Sequence, residues 1–325
     1  MSASFFAREA DELSLDRAAL SDPDNPFLVA PYLRAQRELG QSGWLLGVED
    51  GGVVQGAGLC FLKSGRIRRL LTVPSSPPVA ADSPFWPGLD AFCREHGVTD
   101  LEISTFATPE SVIPPMRGES ERVQRTEFAL SLAGVDLWAG VSKSHRDRIK
   151  TGRKNGLTLR RETSDAAIDA HVALHVTSMD RRKSRGEDVS LDFERRVSAA
   201  LLSAGAGELY QAILGDHVAS SLLVLRSRTG AYSESSGNSR EGMNIGASHF
   251  LRYETALALQ AEGIEMFHLG GARVHEEGLR AYKSGFGTTP IDTEAVTAYV
   301  GGRLRRGVSA VVDSLQSATK PGSSR

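Results

Sequence analysis

The chain has 325 residues, 40% hydrophobic and 24% charged, the composition of an ordinary globular protein long enough for two compact domains or one large one. Its net charge of −2 excludes a surface coated uniformly in positive charge. No apolar run approaches the roughly 20 residues that cross a bilayer, and Met1 to Glu9 lacks the basic and apolar regions of a secretory signal, so the expectation is a cytoplasmic protein with no membrane span.

In chain order, Ala30 to Leu39 reads as a helix with Pro31 in its first turn. Gly43 to Val48, Val53 to Leu62 and Arg66 to Val73 read as strands, the first two separated by the turn residues Glu49-Asp50-Gly51-Gly52. Pro74 to Pro78 breaks the pattern, Phe85 to His96 reads as a helix ended by Gly97, and Asp100 to Thr105 as the strand after it. Cys60 and Cys93 both sit in apolar segments, too few for a disulfide framework or a zinc site, so both are expected in the core and no metal is expected.

Thr126 to Leu132 reads as a further strand. Ser144 to Lys154 reads as a helix, with Ser144 and Asp147 spaced like a capping box and Asn155-Gly156 as its stop. Asp165 to Arg181 and Leu191 to Ser203 read as two more helices. Gly207 to Leu214, His217 to Arg226 and Ala231 to Gly237 are strands joined by turns, Ser248 to Glu262 a helix ended by Gly263, and Glu265 to Leu269 a closing strand. The two halves therefore repeat one order of strand, strand, strand, helix, strand, a pattern of internal duplication that suits mixed sheets with helices packed on them. The expected layout is one domain over 1–135, a second over 136–317 and a disordered polar tail over 318–325.

Three segments of the second half carry a resemblance. Val141-Ser142-Lys143-Ser144-His145-Arg146-Asp147-Arg148-Ile149-Lys150, running on to Asn155-Gly156-Leu157, is the first. Gly237-Asn238-Ser239-Arg240, leading into Gly246-Ala247-Ser248-His249-Phe250-Leu251 and Tyr253-Glu254, is the second. Phe267-His268-Leu269-Gly270-Gly271, followed by Gly278-Leu279 and Tyr282-Lys283-Ser284-Gly285-Phe286-Gly287, is the third. Together, and in this order, they resemble the Fem-like acyltransferases. The resemblance implies an α/β fold of tandem GNAT-like domains, each a mixed central sheet flanked by helices. It also implies transfer of an aminoacyl group from aminoacyl-tRNA to a primary amine of a peptide, peptidoglycan precursor or small metabolite, with no tightly bound cofactor. Two family features differ: no long coiled-coil arm is present, and Met243-Asn244-Ile245-Gly246-Ala247-Ser248 meets the acetyltransferase pyrophosphate loop only in part. An acyl-CoA-dependent N-acyltransferase is the alternative enzyme, and a non-catalytic RNA-binding protein the alternative of another class.

Acyl transfer to an amine needs a neutral nucleophile, a stabilised carbonyl oxygen and a protonated leaving group. Lys283, in a loop-like stretch between Gly278 and Gly285, is the first candidate; the resemblance implies that it binds a phosphate or the oxyanion, against a plain surface lysine. Tyr282 either donates a proton to the leaving group or packs. Glu234, alternating with Ser233 and Ser235 on its strand, is a candidate base. Glu254 falls within the helical stripe of Ala247, Phe250, Leu251, Ala258 and Ala261, so it is a general base or a structural partner of an Arg or of His268.

For the donor, the start of a helix at Gly246 and Ser248 offers free N–H groups to a phosphate, or is an ordinary start capped by Ser248 or Asn244. Arg240, Asn244 and Arg273 join these as donor or phosphate ligands. From Lys143 to Arg161 there are eight Lys or Arg residues, and Arg181, Arg182, Lys183 and Arg185 follow. Lys143, Arg146, Arg148, Lys150, Arg153 and Lys154, with Arg181, Arg182 and Lys183, form either a solvated face or a tRNA contact of strong salt dependence. No Gly-x-Ser-x-Gly elbow, P-loop, dinucleotide fingerprint or His-Glu-x-x-His occurs.

Overall fold

The computed structural model describes residues 3–65, 67–107, 111–184 and 195–302. The expected tail, Arg185 and the start of the helix expected from Leu191 lie outside the described residues. The elements run β1 (Ser4–Glu9), α1 (Glu12–Ala18), α2 (Ala30–Glu38), β2 (Ser42–Asp50), β3 (Val53–Ser64), β4 (Arg69–Val73), α3 (Phe85–Glu95), β5 (Asp100–Ser104) and β6 (Glu119–Ser131). Then come α4 (Leu137–Gly140), α5 (Lys143–Lys154), β7 (Thr158–Glu162), α6 (Asp165–Ser184), α7 (Arg195–Ser203), β8 (Gly207–Leu214), β9 (His217–Arg226) and β10 (Gly230–Asn238). The last are α8 (Arg240–Asn244), α9 (Ala247–Ala261), β11 (Met266–Arg273), α10 (Glu277–Ser284) and β12 (Thr289–Tyr299).

These elements form two compact units. Among the described residues, 3–10, 40–123 and 294–302 make the first, and 11–39 with 124–293 the second. The first unit holds a sheet in the order β1-β2-β3-β4-β5-β12. Its pairs are antiparallel except β4 with β5, which is parallel. The helix α3 makes the crossover that a parallel pair requires, and its Phe85, Leu89, Phe92 and Cys93 pack with Leu46, Cys60, Leu71 and Leu101 in the core. Both cysteines are buried and unbonded, as the sequence implies.

The second unit repeats the plan. Its sheet runs β7-β8-β9-β10-β11-β6, again antiparallel except for one parallel pair, β10 with β11, bridged by α8 and α9. Phe128, Leu130, Tyr210, Leu222, Val224, Phe250, Phe267 and Phe286 build its core. Each unit is thus a mixed sheet flanked by helices, two matching copies of one fold.

The last strand of each sheet comes from the other half of the sequence. β6 follows β5 in the chain but pairs with β11, and β12 follows β11 but pairs with β5. Residues 11–39 likewise pack in the second unit, where Arg34 donates to the Ala204 carbonyl at 3.3 Å and Ser203 donates to Glu38 at 3.0 Å. The units therefore differ from a single cut at residue 135, because strand exchange takes apart any division made in sequence order.

Candidate active site

The parallel pair at the centre of the second sheet creates the site. β10 and β11 are paired only over Gly230–Tyr232 and Met266–His268; beyond that point the two strands part. A cleft of about 1160 Å³ opens there, lined by Tyr232 to Ser236 on one side, Leu269 to Gly271 on the other, and residues of α6, α9 and α10 around them. Crevices beyond the carboxyl ends of diverging parallel strands are where open α/β sheets hold ligands.

Irregularities in both strands aim groups into the cleft. The register of β10 against β9 shifts between Ser233 and Ser235, leaving Glu234 as the bulged residue. Ser233 and Ser235 are buried, and Ser235 Oγ lies 2.9 Å from Nε2 of the buried His171. Glu234 lines the cleft, and desolvation by the protein around it pushes its carboxyl up to about 7. On β11 the register against β6 shifts between His268 and Gly271, and Gly270 takes a φ of +81°.

Lys283 lies in the last turn of α10, so the expected loop is a helix. Leu279, Tyr282 and Phe286 explain it: spaced i, i+3 and i+7, they pack against or within the core of the second unit. Lys283 on that helix is only 6% exposed and lines the cleft, which excludes a plain surface lysine. Its Nζ donates to the carbonyl oxygens of Gly270 at 2.6 Å and Gly271 at 2.7 Å. Burial, then the positive charge of Arg252, lower its pKa to about 7, opposed by Glu127 and Glu276 and reinforced by Arg182. Glu127, on β6, is itself buried, and burial raises its pKa against the pull of Lys283 and His268.

The remaining expected residues separate into those in the cleft and those outside it. Tyr282 lines the cleft, but its hydroxyl donates to the Ser248 carbonyl at 3.1 Å and its ring packs edge-on or tilted against His145, His249 and Phe286. In this arrangement the Tyr282 hydroxyl is engaged with the backbone of α9. Ser248 and Arg273 line the cleft, and the Arg273 backbone N–H donates to Glu276 at 2.7 Å. Arg182 reaches the cleft from α6 and pairs with Glu276.

Glu254 lies outside the cleft lining. Arg153 Nε donates to it at 2.8 Å and Nη2 stands 2.7 Å from the same oxygen, the geometry of a structural ion pair. Arg240, Asn244 and Gly246 are also absent from the lining. Gly246 does adopt a left-handed φ of +80° at the N-cap of α9, and neither Ser248 nor Asn244 caps the helix. The space beside it is taken by protein, since a Cβ there would meet the Arg148 carbonyl oxygen at 2.5 Å.

The basic helix α5 begins at Lys143 with Ser142, not Ser144, as its cap, Ser142 Oγ accepting from the His145 N–H at 3.4 Å. Several of its cations are engaged within the second unit. Arg146 donates to the Trp138 carbonyl at 3.3 Å, Arg148 to that of Met243, and Arg153 to Glu254. Lys143, Lys150 and Lys154 are exposed, as is Lys183 on α6, whereas Arg181 donates to Ser178 Oγ and the Asn238 carbonyl. Only Arg182 of the nine expected polyanion contacts lines the cleft.

Sequence reasoning missed Glu127, Arg125, His175, Tyr232 and Arg252. Arg252 carried a legible signal, since Thr255, Ala256 and Leu259, spaced i+3, i+4 and i+7 from it, are all buried with it.

Residues 140–284 match the family model described as an acetyltransferase (GNAT) domain, and they fall within the second unit. No curated protein matches the chain. Among solved structures, the chain resembles one titled the crystal structure of FemX, at 12% identity and a TM-score of 0.63, over 89% of this chain and 96% of that one. It resembles the C-terminal domain of a putative lysylphosphatidylglycerol synthetase from Agrobacterium fabrum at 14% identity and 0.55, over 92% and 94%. A tandem GNAT protein from the clavulanic acid biosynthesis pathway matches at 15% and 0.55, over 93% and 99%. Likenesses at these identities carry the fold alone, that of tandem GNAT units. No helix among the described residues is long and apolar enough to cross a membrane.

Proposed function

We propose that the cleft of the second unit forms amide bonds, moving an aminoacyl group from aminoacyl-tRNA to a primary amine of a peptide, peptidoglycan precursor or small metabolite. The observation that carries the reading is Lys283, a buried cleft lysine held by two carbonyls on the bulged strand of a GNAT sheet. A similar fold occurs in a protein named as a synthetase of an aminoacyl lipid, which supports an aminoacyl group over a plain acetyl group.

The steps balance without an enzyme nucleophile. Glu234, poised near neutrality, takes a proton from the ammonium of the acceptor. The neutral amine attacks the ester carbonyl, forming the C–N bond. Negative charge on the carbonyl oxygen is met by the Lys283 N–H not spent on Gly270 and Gly271. Collapse breaks the C–O bond, and the ribose hydroxyl leaves with the second amine proton.

The test is a donor screen read by mass spectrometry, with charged tRNAs and acyl-CoAs offered alongside candidate amines. Product from aminoacyl-tRNA is the expected result. Consumption of acetyl-CoA with every aminoacyl-tRNA ignored overturns the donor, and salt-sensitive tRNA binding without turnover overturns catalysis.

A further inference from the structure

Arg252 stands on α9 one turn beyond Ser248, on the same side of the helix, and both line the cleft. Its side chain is 6% exposed. Its Nε and Nη1 meet no hydrogen-bond acceptor among the described residues, and its guanidinium lies 5.9 Å from the centre of the Tyr282 ring. The contrast with Arg182, the other arginine of that wall that faces Lys283, is instructive, because Arg182 is paired with Glu276. The charge that acts most strongly on Lys283 is that of Arg252, and it is a like charge.

A guanidinium cannot shed its proton in a protein, so burial cannot be relieved by neutralisation as it can for lysine. A buried charge without a partner costs several kcal/mol, and native structures rarely keep one without a use for it. Two cations lining one cleft, with unpartnered nitrogens on the one that must stay charged, fit an anionic group supplied from outside the chain. The first turn of a 15-residue helix lies beside it and contributes in the same sense.

We propose that Arg252 anchors an oxyanion subsite in the cleft wall, completed by Ser248 and Lys283, which takes a phosphate or carboxylate carried by the substrate. The subsite rests on the reading of this cleft as the acyl-transfer site and narrows it: one of the two substrates presents a fixed negative group within reach of the reacting carbonyl. Tyr282 supports the wall from below, its ring under the guanidinium and its hydroxyl on the Ser248 carbonyl.

The experiment uses the full chain without donor or acceptor, so a failed donor screen leaves its outcome standing. Inorganic phosphate and glutarate are titrated separately at constant ionic strength by calorimetry, against wild type, Arg252→Gln, Arg252→Lys and the control Arg240→Gln, which is absent from the cleft lining. The expected result is saturable binding of one of the two anions, about tenfold weaker or more in Arg252→Gln, partly kept in Arg252→Lys and unchanged in Arg240→Gln. Preference for phosphate identifies the donor end or a phosphorylated acceptor, and preference for glutarate a carboxylate-bearing acceptor. A second readout covers a variant that fails to fold: in the wild type, the bound anion slows phenylglyoxal modification of Arg252, followed by peptide mass spectrometry. Neither anion binding, equal affinity in Arg252→Gln, or modification of Arg252 at the same rate with saturating anion overturns the subsite.

Discussion

Lys283 Nζ lies 2.6 Å from the carbonyl oxygen of Gly270, and Gly270 presents that oxygen from a backbone with φ of +81°. A Cβ at this position would stand 3.3 Å from Nζ and 3.4 Å from the Ser233 carbonyl oxygen. The bulged strand thus serves as the holder of the lysine. Replacing Gly270 by Ala is expected to cost about 1–2 kcal/mol of stability, from the left-handed backbone alone. It should also lower kcat about 10- to 100-fold by displacing Nζ. Steady-state kinetics beside thermal unfolding check this; full activity in a destabilised Gly270→Ala variant would remove the holder from the mechanism.

The two groups held near neutrality predict the pH profile. Glu234 must be ionised to act as base, so activity rises as pH climbs through about 7. Lys283 must carry its proton to meet the oxyanion, so activity falls as pH climbs through its own value, also about 7. Both act in one reaction, so the kcat/KM profile is a narrow bell, its rising limb set by Glu234 and its falling limb by Lys283. Glu234→Gln should remove the rising limb and leave the falling one. A rising limb that persists in Glu234→Gln assigns the base elsewhere.

Much of this was legible in the sequence, and the failures share a cause. The strands of the two repeats, and the helices between them, follow from alternation, turn residues and glycine stops. So did Lys283, through its surrounding motif. Local pattern does not report which strand completes which sheet, so the exchange of β6 and β12 was invisible, and with it the true composition of the units. It also reports the face of a helix only against one neighbour. Treating α9 as having a single buried stripe put Glu254 inward, whereas α9 is covered on more than one side: Glu254 meets Arg153 and Arg252 faces the cleft. Glu234 needed the bulge, a one-residue shift that periodicity cannot locate.

Tyr282 separates a proton donor from a positioning residue. Its hydroxyl proton is spent on the Ser248 carbonyl. Tyr282→Phe should therefore keep kcat within about threefold, while losing about 0.5–1.5 kcal/mol of stability with the hydrogen bond. A general acid removed from the reaction would instead cost about 100-fold or more. Rates measured with a good and a poor leaving group decide between them, because only a lost acid penalises the poor one more.

Glu254→Gln tests the carboxylate that pairs with Arg153 outside the cleft lining. The Arg153–Glu254 pair is partly exposed, so its loss should lower stability by no more than about 1 kcal/mol. Turnover should stay at the wild-type level across the pH range. A shift in the pH profile of Glu254→Gln would return this carboxylate to the list of bases.

Lys283 carries the largest conflict between stability and function. In the unfolded chain its amine titrates near the ordinary 10.5, and in the folded chain near 7. Between those values the unfolded chain binds the additional proton, so wild-type stability rises with pH across that window. Below pH 7 the folded protein bears the full cost of the buried cation beside Arg252. Lys283→Met fills the same space without charge, so it should be more stable than wild type at pH 6, by about 2 kcal/mol or about 5 °C in Tm. The advantage should shrink as pH approaches 10, and kcat should fall about 100- to 1000-fold if the ammonium stabilises the oxyanion. Thermal melts at pH 6, 8 and 10 with rates on the same samples test both halves. A variant that is less stable at pH 6 and still active makes the lysine a structural clasp for Gly270 and Gly271.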